Sequence, residues 1–318
     1  MRWTTYALTA AVLAASTASA VAAPTGTCTP GPWRLTRTDT FTLPAGYLRS
    51  QGVTWDGTGW IFSWQGGISR TDDAFTTTAA GTLPVQEVLA NPPTVNPVDQ
   101  HNDAAGDHIG DIDVHNGLVY VPVEEGGVNA QVIRVNNPDY QRAYIALFDA
   151  KTMQYTNTLY PLPLALQAAG VPWVAVDPTS GAVYTAEWDM LHDRLNVFDS
   201  TMRFQRFLNL EYPASFGKGF HLNRVQGAKV TGTTMYATRN DDKQTVFSID
   251  LLTGAVARVL AVNSTDPQTE MEGLAIRPMP DGSLLHTLTL YDAGLDASGD
   301  QRNIRNEFQH WAPPAPCR

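Results

Sequence analysis

Gln51-Gly52-Val53-Thr54-Trp55, then Asp56-Gly57-Thr58-Gly59, then Trp60-Ile61-Phe62-Ser63-Trp64 reads as a short strand, a tight turn and a second apolar strand. Asp-Gly between two such runs is a strong local hairpin signal. The pattern returns four times. The later openings are Gly110–Val114, Pro172–Val176, Gln226–Val230 and Glu272–Ile276, each followed by a turn rich in Gly, Asp, Asn, Ser or Thr and a second strand. Those second strands are Leu118–Val123, Ala182–Glu187, Thr234–Thr238 and Ser283–Tyr291. Gly52, Asp111, Trp173, Gly227 and Gly273 hold the same place in each unit, at intervals of 59, 62, 54 and 46 residues.

Three units also display an outer hairpin, at Ile145–Thr152, Leu195–Thr201 and Val246–Gly254. In each, alternating apolar residues end at an aspartate, Asp149, Asp199 or Asp250, whose side chain can bond its own backbone and start the turn. Four short strands per unit at this repeat length describe the blades of a propeller. The expected fold is therefore all-β, a five-bladed β-propeller, with six blades as the fallback. A short helix is expected at Leu164–Ala169, ended by Gly170. Elsewhere no sustained 3.6-residue period supports an α/β or all-α fold.

The last unit lacks a fourth strand after Glu307–Ala312, and the alternating N-terminal segment Trp33–Leu43 would supply it. That pairing brings Cys317 beside Cys28, the only two cysteines. A disulfide between them would close nearly the whole chain, worth about 4–5 kcal/mol in the loop-entropy model. Residues 1–23 fit a secretory signal peptide: Arg2, an apolar run from Tyr6 to Ala15, then small residues to Ala23. The expected organisation is thus a signal peptide at 1–23 and a single propeller at 24–318, secreted, in a compartment that permits a disulfide.

Of the 318 residues, 43% are hydrophobic and only 16% charged, with a formal charge of −10. An acidic chain without a basic run repels phosphate backbones and anionic lipid, so neither a nucleic-acid nor a membrane partner is expected. A monomer with a small-molecule or glycan ligand is expected instead.

In a propeller the loops entering the innermost strands share a face with the loops joining second to third strands. Here those loops are long and polar, which makes their face the functional one. Residues at their inner ends include His108, Asp111, Glu124, Trp173, Glu187, Gln226, Arg239 and Glu272, with Trp64, Trp188 and Arg224 farther out. Asp111, Glu124 and Glu272 are candidate ligands for a hard cation, which takes several oxygen donors. His108, Asp111 and Glu272 are the candidate catalytic groups, with His108 as general base. Trp64, Trp188, Arg224 and Arg239 are candidate substrate contacts, the tryptophans serving equally as blade packing. Two carboxylates at a low-dielectric axis repel unless a cation, an arginine or a proton intervenes, and Arg224 or Arg239 could be that partner.

Glu272-Gly273-Leu274-Ala275 and the secreted propeller layout resemble the superfamily of gluconolactonases, strictosidine-synthase-like proteins and paraoxonases. That resemblance implies a calcium ion bound by Glu272 that polarises a lactone or ester carbonyl. It also implies a disulfide tying the termini, here Cys28 with Cys317. These relatives have six blades. A second resemblance, to five-bladed glycoside hydrolases, implies Asp111 with Glu187 or Glu272 as acid and base, although Gln51 stands where those enzymes place an aspartate. The expected activity is a calcium-supported hydrolysis of a lactone, ester or related small substrate; alternatives are a glycan-active hydrolase and a non-enzymatic sugar- or ligand-binding propeller. No Gly-x-Ser-x-Gly elbow or phosphate-binding glycine loop is present.

Overall fold

The computed structural model describes residues 31–42, 45–64, 66–82, 108–124, 143–163, 165–167, 170–188, 190, 192–262, 269–291 and 305–315. A leading strand, β1 (Arg34–Thr42), precedes the first blade, which is β2 (Gly52–Trp55), β3 (Trp60–Trp64), β4 (Gly67–Thr71) and β5 (Thr77–Thr82). Blade two holds β6 (His108–Ile109), β7 (Asp113–His115), β8 (Leu118–Glu124), β9 (Ala143–Asp149) and β10 (Tyr155–Pro161). Blade three is β11 (Ala175–Val176), β12 (Val183–Thr185), β13 (Arg194–Phe198) and β14 (Phe204–Asn209). Blade four is β15 (Val225–Thr231), β16 (Thr234–Arg239), β17 (Thr245–Asp250) and β18 (Val256–Ala261). Blade five is β19 (Thr269–Ile276), β20 (Leu285–Tyr291) and β21 (Arg305–Ala312), completed by β1. The five antiparallel sheets form a five-bladed propeller, as the repeats predict.

Strand β1 pairs antiparallel with β21 from Arg34 opposite Ala312 to Thr42 opposite Arg305, so the ends of the chain close the ring as expected. All blades belong to one unit, Pro32–Pro314. Residues 1–23, Cys28 and Cys317 lie outside the described residues.

Strands present alternate residues to opposite faces, so each blade packs on both neighbours. Five buried clusters fill the joints. Ile61 and Ile68 meet Ile112, Val121 and Phe148 between blades one and two. Tyr120 and Ile145 meet Val174, Val183 and Phe198 at the next joint, and Tyr184 and Leu195 meet Ala228, Met235 and Phe247 at the third. Val246 meets Leu274, Leu285 and Trp311. Finally Phe41, Val53, Trp60 and Phe62 meet Ala275, Leu288 and Phe308, so β1 helps seal the closing joint.

The outer turns follow their aspartates. Asp149 Oδ1 accepts the Lys151 and Thr152 amides, Asp199 Oδ1 those of Thr201 and Arg203, and Asp250 Oδ1 those of Leu252 and Thr253.

Of the helix expected at Leu164–Ala169, the described residues 165–167 show only a turn. There the Leu166 and Gln167 amides both donate to Pro163 O. The reason lies in the Gln167 side chain, which is buried and satisfied by tertiary partners. Its Oε1 accepts from Thr185 Oγ1 at 2.8 Å and Asn196 Nδ2 at 2.5 Å, and its Nε2 donates to Gly170 O and Ala186 O. Six residues cannot outweigh that network by helix propensity alone.

Candidate functional site

At the axis the five equivalent positions meet as three glycines, one aspartate and one tryptophan. Asp111 leaves its own sheet to reach it. Its amide donates to Pro172 O and its carbonyl accepts from the Val174 amide, a parallel bridge to Trp173 that splits the inner edge of blade two into β6 and β7. The carboxylate then fills the space the glycines leave. A Cβ on Gly52 would lie 2.5 Å from Asp111 Cα, and one on Gly227 2.7 Å from Asp111 Oδ2. A Cβ on Gly273 would lie 2.8 Å from Asp111 Oδ1 and 2.9 Å from Gly52 Cα. Asp111 and the three glycines pack against one another at this level, and Asp111 is fully buried.

Among the described residues the Asp111 carboxyl accepts from the Val53 amide at 3.0 Å, the Ala228 amide at 3.1 Å and Lys229 Nζ at 2.6 Å. Burial pushes its pKa up to about 7, with Lys229 pulling the other way. One layer on, buried Asp113 accepts from Thr54 Oγ1, the Val114 amide and the Val176 amide, pinning three inner strands, and burial raises it too. The partner of Asp111 is thus Lys229, not Arg224 or Arg239. Lys229 follows Gly227 by two on β15, so both face the axis.

Glu272 stands at the start of the same inner layer, 4% exposed, one residue before Gly273. Its pKa is raised well above the usual carboxylate range, first by burial, then by the charge and hydrogen bond of Glu270, then by Asp111. A bulge between Met271 and Gly273 falls between the two glutamates and the tight glycine layer. Glu270 and Glu272 are two apart on β19, a spacing that puts both on one face of a regular strand; the pair was missed because only Glu272 opens the repeated unit.

These residues also answer whether a calcium ion fits. Asp111 does not: an ammonium already sits 2.6 Å from its carboxylate, and glycines enclose it. Glu270 and Glu272 offer two carboxylates, and among the described residues no group of three or more His, Cys, Asp or Glu side chains is placed to hold a metal ion. His108 and Glu124 face each other in register on β6 and β8, at the inner edge of blade two; their side chains are outside the described residues.

The other predicted residues divide. Trp64 is buried at the end of β3, and its ring lies where a Cβ on Gly67 would stand. Trp173 belongs to the cluster between blades three and four. Both pack blades. Glu187 lines a separate crevice with His192 and Arg194. Trp188, Arg224 and Arg239 do come together, on the rim of blade four. Arg224 lies 5.9 Å over the Trp188 ring, its amide donates to Trp188 O at 2.7 Å, and Arg224 and Arg239 line one groove.

No protein-family model matches the chain, and no curated protein matches it. Among solved structures the chain is similar to hydrazine synthase from Kuenenia stuttgartiensis, at 14% identity and a TM-score of 0.40. The match covers 80% of this chain and 58% of that one, so the chain spans less than two thirds of that protein.

Proposed function

We propose that this propeller is a hydrolase of a lactone, ester or related small substrate, worked by the Glu270–Glu272 pair at the inner end of blade five. The observation that carries this reading is a buried carboxyl hydrogen-bonded to a second carboxyl beside the axis. A carboxyl kept protonated by burial beside a second, partly exposed carboxyl lets the two divide the roles of acid and base. Glu272 holds the proton and Glu270, partly exposed, takes one from water. The water oxygen adds to the carbonyl carbon, the bond to the leaving oxygen breaks, and Glu272 delivers its proton to that oxygen.

Turnover of a panel of aryl esters and lactones tests this. Glu272→Gln mimics the protonated acid, so it is expected to melt like the wild type and to lose about 10²–10⁴-fold in turnover. Wild-type turnover by Glu272→Gln, or binding of every panel member without hydrolysis, would overturn it.

The same facing carboxyls favour a second reading, in which a calcium ion replaces the shared proton. Glu270 and Glu272 would hold the ion, which supplies Lewis-acid polarisation of the carbonyl when bound. That reading expects a calcium-specific rise in melting temperature over chelator that vanishes in Glu272→Gln. Turnover of a polysaccharide but of no small ester would move the substrate to a glycan.

A further inference from the structure

The rim of blade four carries a groove of about 720 Å³ bounded by Asn223, Arg224, Arg239, Asn240 and Arg258, with an apolar wall at Leu260. In a chain with a net charge of −10, this groove gathers four cationic side chains against two carboxylates. Among the described residues most of these arginines are not spent on ion pairs. Among the described residues Arg239 has only Asp241, at 3.5 Å, and neither Arg224 nor Arg258 has a carboxylate partner. They rest on aromatic faces instead: Arg258 lies 4.6 Å over Phe216 and Arg239 lies 5.0 Å over Phe220. Arg239 is further oriented by Asn223, through its carbonyl at 3.2 Å and its Oδ1 at 2.9 Å.

Two more features stand at this groove. Asn240 is 5% exposed, and its Nδ2 has no hydrogen-bond partner. Its amide cannot turn over to find one. Gln244 Oε1 accepts the Met271 amide at 2.8 Å, so Gln244 must present Nε2 to Asn240, and Asn240 must answer with Oδ1. Nδ2 is left as a donor with nothing to donate to, a costly state for a buried group. Arg224 meanwhile holds φ at +57°, a left-handed backbone unusual for a side chain of its kind. The strand edge keeps it there, through Arg224 N to Trp188 O and Asn240 N to Arg224 O. Strain held at a rim of this sort is found where it positions a functional group.

We infer that this groove binds an organic carboxylate of sugar size, the carboxylate held by Arg224, Arg239 and Arg258 with Asn240 Nδ2 as the neutral donor and the carbon skeleton against Leu260. Planar guanidinium forks match a carboxylate in a way a lysine ammonium does not. The inference does not depend on turnover at Glu270 and Glu272.

Titration calorimetry on the full chain at low salt, with glucuronate, glucose and inorganic phosphate as probes, tests it. Glucuronate is expected to bind, glucose not to, and phosphate to bind more weakly. Arg224→Gln and Arg258→Gln, both at exposed positions, are each expected to weaken glucuronate about tenfold or more, at unchanged melting temperature. High salt should weaken it in the same direction. Absence of glucuronate binding, an affinity unmoved in the Arg224→Gln/Arg258→Gln double variant, or phosphate binding as tightly as glucuronate would each overturn it. A protein that binds glucuronate yet hydrolyses no ester keeps this groove and loses the proposed activity; the converse result separates them the other way.

Discussion

Lys229 is buried with two aspartates, and its 2.6 Å contact with Asp111 is what makes a charged axis tolerable. Removing one member of a buried pair leaves the other uncompensated, which typically costs about 3–5 kcal/mol. Lys229→Met is therefore expected to lower the urea midpoint by that order, and adding Asp111→Asn in the same chain to recover much of it. If the double variant is as unstable as the single, Lys229 is not there to neutralise Asp111. His286 sets a second expectation. It is buried, its Nε2 donates to Arg277 O, and burial pushes its pKa down to about 3. Unfolding restores a group with a pKa near 6.5, so the unfolded chain takes up a proton that the folded one refuses. Its stabilisation is complete above about pH 6.5 and fades as pH falls toward 3, by at most roughly 1.4 kcal/mol per pH unit. The stability difference between wild type and His286→Gln should shrink from pH 7 to pH 5; a difference that stays constant would deny His286 this role. At this scale Asp111 and Glu272 were legible as inner-strand carboxylates. Lys229 was not picked out, because a lysine among apolar residues reads as a solvated strand face until the glycine two places before it is seen to face the axis.

The inner strands come together only because Gly52, Gly227 and Gly273 carry no side chain where Asp111 enters. At Gly227 a methyl group would meet Asp111 Oδ2 at 2.7 Å and Gly273 Cα at 2.8 Å, and the second of these is backbone that cannot swing aside. Gly227→Ala should cost several kcal/mol, as overpacking of a closed core does. Measured stability within about 0.5 kcal/mol of wild type would mean that the strands sit farther apart than described. Hairpins were the most legible elements, since their turns are encoded locally. Asp149, Asp199 and Asp250 each take the amides that follow them. Elements governed by distant partners were not legible. Gln167 abandons a helix for Thr185 and Asn196, and Asp111 breaks the inner edge of blade two for blade three. Neither choice is written in its own neighbourhood.

Closure is the property of the whole ring. Because β1 completes blade five and Phe41 sits in the joint between blades five and one, a chain begun at Ala45 would leave β21 unpaired and that joint open. Such a chain is expected to lose its single cooperative unfolding transition rather than to melt a few degrees earlier. Cys28 and Cys317 lie just beyond the paired strands, and the sequence expectation of a disulfide between them is checked by alkylation: no label before reduction, two labels after. The ring was legible from its five repeats and from the N-terminal strand that the last unit lacks. The pocket chemistry was legible only in part, because Glu270 stands before the repeat that singles out Glu272, and the burial that raises Glu272 is not written in residue type.

The most direct measurement is the titration of Glu272 by carbon-13 NMR of labelled glutamate, in the wild type and in Glu270→Gln, with and without calcium. Expected is a wild-type pKa well above 4.5 that falls when Glu270 loses its charge and that calcium leaves unchanged. A Glu272 that titrates in the ordinary carboxylate range, indifferent to Glu270, would contradict a proton-sharing pair at the axis.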